Sequence, residues 1–62
     1  MRDQFFEYLT SEGFVLTQDQ YVKTFDEYIE VYSVTENDGE VLHELKKLDG
    51  TTYEKETITL TF

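Results

Sequence analysis

At the start of the chain, apolar side chains recur at helical spacing. Phe5, Phe6 and Leu9 fall on one face, while Glu7 and Glu12 turn away from it. The pattern predicts an amphipathic helix over 3–12, with Asp3 as its N-cap or as an acid favouring the positive helix end. Gly13 stands where a left-handed residue closes a helix. Phe14 then falls where the chain folds back to touch Leu9.

Residues 14–25 fit two templates. Thr17-x-x-Gln20 matches a capping box, and Tyr21, Val22, Phe25 and Ile29 keep helical spacing. Against this, Tyr21-Val22-Lys23-Thr24-Phe25 joins poor helix formers that are good strand formers. The second argument favours a strand over 20–25.

From residue 28 the pattern is β. Tyr28 to Thr35 is dense in Tyr, Val and Ile, Asn37-Asp38-Gly39 signals a hairpin, and Val41 to Leu48 alternates imperfectly. Asp49-Gly50 is a second hairpin signal. Thr57 to Phe62 alternates cleanly, with Ile58, Leu60 and Phe62 on one face. The fold class expected is α+β: a short N-terminal helix packed on an antiparallel β-meander of three to four strands, forming a single domain over 1–62.

The expected core joins Phe5, Phe6 and Leu9 of the helix to Ile29, Val31, Ile58, Leu60 and Phe62, with part of Val41, Leu42, Leu45 and Leu48. Tyr28, Tyr32 and Val34 alternate onto the opposite face from Ile29 and Val31. One short helix covers one face only. The second face would expose aromatics that the chain itself or another molecule must cover.

Composition narrows the class. Of 62 residues, 39 % are hydrophobic, and five Phe and five Tyr are far too many for a disordered acidic tail. The absence of Cys excludes disulfides and thiolate metal sites, and makes reducing cytosol the default compartment. Met1-Arg2-Asp3-Gln4 leads into no apolar stretch of the kind a secretory signal needs. The longest apolar run, Phe14-Val15-Leu16, is far too short to cross a bilayer. The reading is therefore cytoplasmic, with no membrane partner.

Fourteen acids against five Lys and Arg leave a formal charge of -9. The cations are Arg2, Lys23, Lys46, Lys47 and Lys55, with only one adjacent pair, and this is no footprint for phosphates. Direct nucleic-acid binding is disfavoured. A basic surface on a larger protein, including a protein that normally grips nucleic acid, is the favoured partner.

No catalytic constellation stands out. His43 is the only histidine, and its neighbour Glu44 points to the other face of a strand. It reads as a solvent-exposed or cross-strand histidine. Ser11 and Ser33 lack a base or oxyanion motif, and the glycines at 13, 39 and 50 are isolated. Glu36, Asp38 and Glu40 resemble a calcium loop only faintly. Counted from Glu36, the sixth-position Gly is Val41 and the twelfth-position Glu is Lys47. No catalytic residue, metal or cofactor is expected.

The acids themselves form three groups: Asp26, Glu27 and Glu30; Glu36, Asp38, Glu40 and Glu44; and Glu54 with Glu56. Asp3 and Glu7 lie one helical turn apart. Residues two apart on a strand sit roughly 6.5–7 Å apart on one side, near the spacing of successive phosphates. Such an array could imitate a phosphate backbone and occupy a basic groove; the simpler reading, which the sequence favours, is that the acids keep a small aromatic-rich protein in solution.

Size, charge, absence of Cys and Pro, and the helix exit Glu7-Tyr8-Leu9 to Gly13-Phe14 leading into Tyr21-Val22-Lys23 resemble the small acidic accessory proteins encoded by bacteriophages. Several of these inhibit host restriction, CRISPR, other defence or DNA-repair enzymes. The resemblance implies an inhibitor acting in a bacterial or phage-infected cell, and no family residue carries over.

Two functional expectations follow. One is an inhibitor or adaptor that occupies a basic site through Asp26, Glu27, Glu30, Glu36, Asp38, Glu40, Glu54 and Glu56, or through Tyr28 and Tyr32. The other is a self-assembling module, a homodimer formed through an exposed sheet face. An enzyme is not expected.

Overall fold

The computed structural model describes residues 2–61. Helix α1 (Arg2–Ser11) is followed by strands β1 (Val15–Thr17), β2 (Gln20–Thr24), β3 (Ile29–Val34), β4 (Glu40–Lys46) and β5 (Thr52–Thr59). The strands form one antiparallel sheet in the order β1-β2-β3-β4-β5, so every strand pairs with its neighbours in sequence. The α+β meander is as expected, with five strands rather than three to four.

The extra strand is β1. Its hairpin to β2 turns through Gln18-Asp19, with Thr17 opposite Gln20. Gln18 adopts φ 55°, the left-handed value a two-residue hairpin requires. Such positions ordinarily hold Gly or Asn, so Gln18 carries no turn signature. The capping-box alternative over 17–20 is replaced by this turn.

The helix starts at Arg2, so Asp3 is a first-turn acid and not the N-cap. Its end is a Schellman closure. The Phe14 amide donates to the Leu9 carbonyl at 3.0 Å and the Gly13 amide to that of Thr10 at 3.1 Å, with Gly13 at φ 97°. Leu9 and Phe14 are both buried.

Register decides which residues share a face. Leu16, Tyr21, Lys23, Glu30, Tyr32, Val34, Val41, His43, Leu45, Glu54, Glu56 and Ile58 point to one side. This is the side α1 covers: Phe6 stacks on Tyr21 with centroids 4.6 Å apart, and Phe5 meets Tyr32 edge-on at 5.2 Å. Leu9, Phe14, Val41 and Leu60 complete the core there.

The core therefore differs from the one expected. Ile29 and Val31 lie on the face away from the helix, and the aromatic face of β3 is the covered one. The helix brings its own rings, and aromatic pairs in stacked and edge-on geometry gain attraction beyond the area they bury. Val31 is buried all the same, with Val22 and Glu44 directly opposite it on the flanking strands. Phe62, expected beside Ile58 and Leu60, lies outside the described residues.

Two cations pin the helix. The Arg2 guanidinium donates to the Thr35 carbonyl at 2.8 Å and lies 3.5 Å from Asp38, tying the helix start to the β3–β4 connection. Lys23 Nζ donates to the Glu12 carbonyl at 2.6 Å and lies over the Phe14 and Phe25 rings.

Asp38-Gly39 and Asp49-Gly50 both lie in turns. Gly50 has φ 93°, and its amide donates to the Lys47 carbonyl at 2.9 Å. Strand β5 begins well before the alternating run at 57–62. It extends back through Glu54-Lys55-Glu56, poor strand formers held by their ladder to β4, with a bulge opposite Leu45 and Lys46. No helix among the described residues is long and apolar enough to cross a membrane.

Candidate protein-binding surface

The register lines up two rows across β3, β4 and β5 on the helix side. One row reads Glu30, Leu45, Glu54; the next reads Tyr32, His43, Glu56. Acids from two of the three groups seen in sequence, Glu30 and the Glu54/Glu56 pair, thus come together on one face.

His43 is the link between them. Its Nε2 lies 2.7 Å from Glu30 Oε2 and its Nδ1 lies 3.4 Å from Glu56 Oε1. The imidazole stacks on the Tyr32 ring with centroids 4.6 Å apart. Carboxylates only accept hydrogen bonds, so both contacts are filled when both ring nitrogens carry protons. The His43 side chain is only 12 % exposed, whereas that of Glu56 is 61 % exposed. The inner half of the cluster is therefore structural and the outer half meets solvent.

Tyr32 closes the group from below. Its hydroxyl lies 3.5 Å from Glu30 Oε2. Burial, then the Glu30 charge and its hydrogen bond, push the phenol up to about 12. Tyr32 also packs against Phe5 and Phe14, so it is a wall of the core rather than an aromatic on an open face. Tyr28 is half-buried and stacks on Phe25 with centroids 4.7 Å apart, and the Lys23 ammonium lies 5.1 Å from the Phe25 centroid.

The remaining acids are dispersed. Asp26 and Glu27 are exposed in the β2–β3 connection. Glu36 and Asp38 are exposed in the β3–β4 connection, at the opposite end of the sheet, where Asp38 meets Arg2. Glu40 is half-buried and accepts from Asn37 Nδ2 at 2.9 Å, and Glu44 accepts from Thr52 on the face away from the helix. The continuous acidic stretch is therefore Glu30, Glu54 and Glu56, and the hairpin-tip acids stand apart from it.

His43 is the cross-strand histidine that the sequence offered as one alternative, with partners the residue-by-residue reading did not name. A signal for one of them existed: taking Asp49-Gly50 as the two turn residues and counting outward places His43 opposite Glu56. No motif marks Lys23 as the residue that ties the helix end to the sheet.

Among the described residues the surface has no enclosed pocket and no cluster of His, Asp and Glu suited to a metal ion. What the surface offers is carboxylates on a sheet, with Leu48 and Tyr53 exposed near the β4–β5 turn. Comparison with protein-family models, with curated proteins and with solved structures finds no match.

Proposed function

We propose that this protein is a small acidic inhibitor or adaptor that occupies a basic site on a larger protein, such as a host defence or nucleic-acid-handling enzyme. Nucleic-acid mimicry is the mode, and the cytoplasm the setting. One observation carries the reading. Among the described residues, Asp38 pairs with Arg2, Glu30 and Glu56 pair with His43, and no lysine stands in an ion pair with a carboxylate. Glu30 and Glu56 share one histidine, and among the described residues Glu54 and the other acids stand in no ion pair, so most of the acidic charge is left for a partner.

The test is collective neutralisation. Glu30→Gln, Glu54→Gln and Glu56→Gln together should slow association with partners captured from a host lysate, and binding by the unaltered protein should weaken steeply with salt. The fold should persist, with relief of self-repulsion offsetting part of the loss of the His43 contacts, and circular dichroism checks it. Capture that is indifferent to salt and to these changes would end the reading.

A specific observation also supports self-assembly. The sheet face away from the helix carries Val15, Val22, Ile29, Val31 and Leu42, with Glu40, Glu44, Lys46 and Lys55 around them. Its strand charges cancel, unlike those of the helix side. A second copy of a chain at -9 meets least repulsion there, and a homodimer through this face would cover Val15, Val22, Ile29 and Leu42 around the already buried Val31.

A further inference from the structure

Strand β5 is the outer strand on one side of the sheet, and it spans Thr52–Thr59. The opposite edge, β1, spans only Val15–Thr17. A long outer strand presents unpaired amides and carbonyls along its free side, a template on which another extended chain can add. Every β5 residue except Ile58 is exposed.

The side chains of β5 select what can add. Beyond the bulge, Glu54 and Glu56 point to the helix side, and Lys55, Thr57 and Thr59 to the other. A second copy adding antiparallel by two-fold symmetry must match faces, so residues of the same face stand opposite one another. Centred on Glu54 or on Glu56, such a pairing sets two carboxylates directly opposite. Centred on Lys55, it sets lysine against lysine and Glu54 against Glu56, twice. Like charges directly opposite destabilise a strand pair, so the centre of this edge rejects its own copy.

We infer that the free edge of β5 is a strand-addition site for an extended segment of a basic protein, one carrying Lys or Arg at alternate positions. Two such residues stand opposite Glu54 and Glu56 on the helix side. The residue between them faces Lys55 and is best uncharged or acidic. Main-chain hydrogen bonds supply affinity, and the Glu-Lys-Glu alternation supplies the choice of partner. This deepens the acidic-binder reading, on which it rests for the sign of the partner's charge.

The probe is a synthetic peptide of alternating Thr and Lys, the length of β5. Two controls accompany it: the same peptide N-methylated at alternate backbone amides, and a peptide of equal composition with its lysines in one block. The full chain is titrated with each, and amide exchange is followed by NMR. Binding of the alternating peptide should protect β5 amides, and N-methylation should weaken it about tenfold or more. Glu54→Lys with Glu56→Lys should switch preference to a Thr/Glu peptide, with circular dichroism confirming the fold.

Equal binding of the N-methylated or blocked peptide would overturn strand addition. So would protection confined to residues outside β5. Salt-sensitive capture of lysate partners that survives such a result keeps the acidic-binder reading and removes only this mode. Loss of both removes both.

Discussion

The Phe14 amide reaches the Leu9 carbonyl at 3.0 Å, and both side chains are buried. One backbone bond thus sets where the helix stops and where the first strand begins. It depends on Gly13 at φ 97°. A Cβ there meets nothing nearer than Lys23 Nζ at 3.5 Å, so sterics with neighbours are mild and the cost lies in the backbone. Gly13→Ala should therefore destabilise by about 1–2 kcal/mol, read from the urea midpoint at unchanged slope. Leu9→Ala should cost about 2–5 kcal/mol, enough to unfold a domain of this size.

Tyr32 should impose an alkaline limit. Its phenol rises from 10.0 unfolded to about 12 folded, chiefly through burial and secondly through Glu30. A raised value means the folded state resists ionisation. The associated stability is complete below 10.0 and falls as pH climbs through the folded value near 12. Tyr32→Phe keeps the ring packing and removes this titration. Thermal unfolding followed across that range should show a shallower decline for the variant; parallel declines would contradict the assignment.

His43 should be worth more than either of its ion pairs alone. His43→Ala leaves Glu30 facing Glu56 with no donor between them and removes the stack on Tyr32. A loss of about 1–3 kcal/mol is expected. Glu56→Gln at the exposed end should cost less than about 1 kcal/mol. A double-mutant cycle between His43 and Glu30 measures the coupling directly, and additivity would show that the short contact contributes nothing.

Leu42→Arg tests the open face. Leu42 lies on the apolar side away from the helix, so a guanidinium there should dissociate a dimer formed through that face and leave the monomer folded. Light scattering on the unaltered protein should give twice the chain mass, and the variant should give the chain mass. A monomer in both would end the self-assembly reading.

The parts of this fold that were legible in sequence are those set by local chemistry. Helix, Schellman stop and both D-G turns follow from residues a few positions apart. The β1–β2 hairpin was hidden because Gln18 takes a backbone conformation its side chain does not advertise. The choice of covered face was hidden for a different reason. Alternation along β3 separates Tyr32 from Val31, but which set meets the helix depends on Phe5 and Phe6 finding Tyr32 and Tyr21.

The candidate surface divides in the same way. Glu54 and Glu56 were visible as a same-side pair, because two-residue spacing needs no partner strand. Their union with Glu30 is a matter of register, fixed across two hairpins at once. Asp26, Glu27, Glu36 and Asp38 resemble the others in composition but sit in connections, where spacing in sequence says little about spacing in space.

Because sheet order repeats chain order, this molecule can assemble by successive local steps. Each strand finds its partner across one short connection, and no strand waits for a distant one to arrive. Among the described hydrogen bonds the longest reach is Arg2 to the Thr35 carbonyl, 33 residues apart, and it seats the helix once β3 exists. Low contact order of this kind favours rapid folding for a β-rich chain. A protein built this way can be ready soon after synthesis, with little time spent exposing unpaired strands to its neighbours.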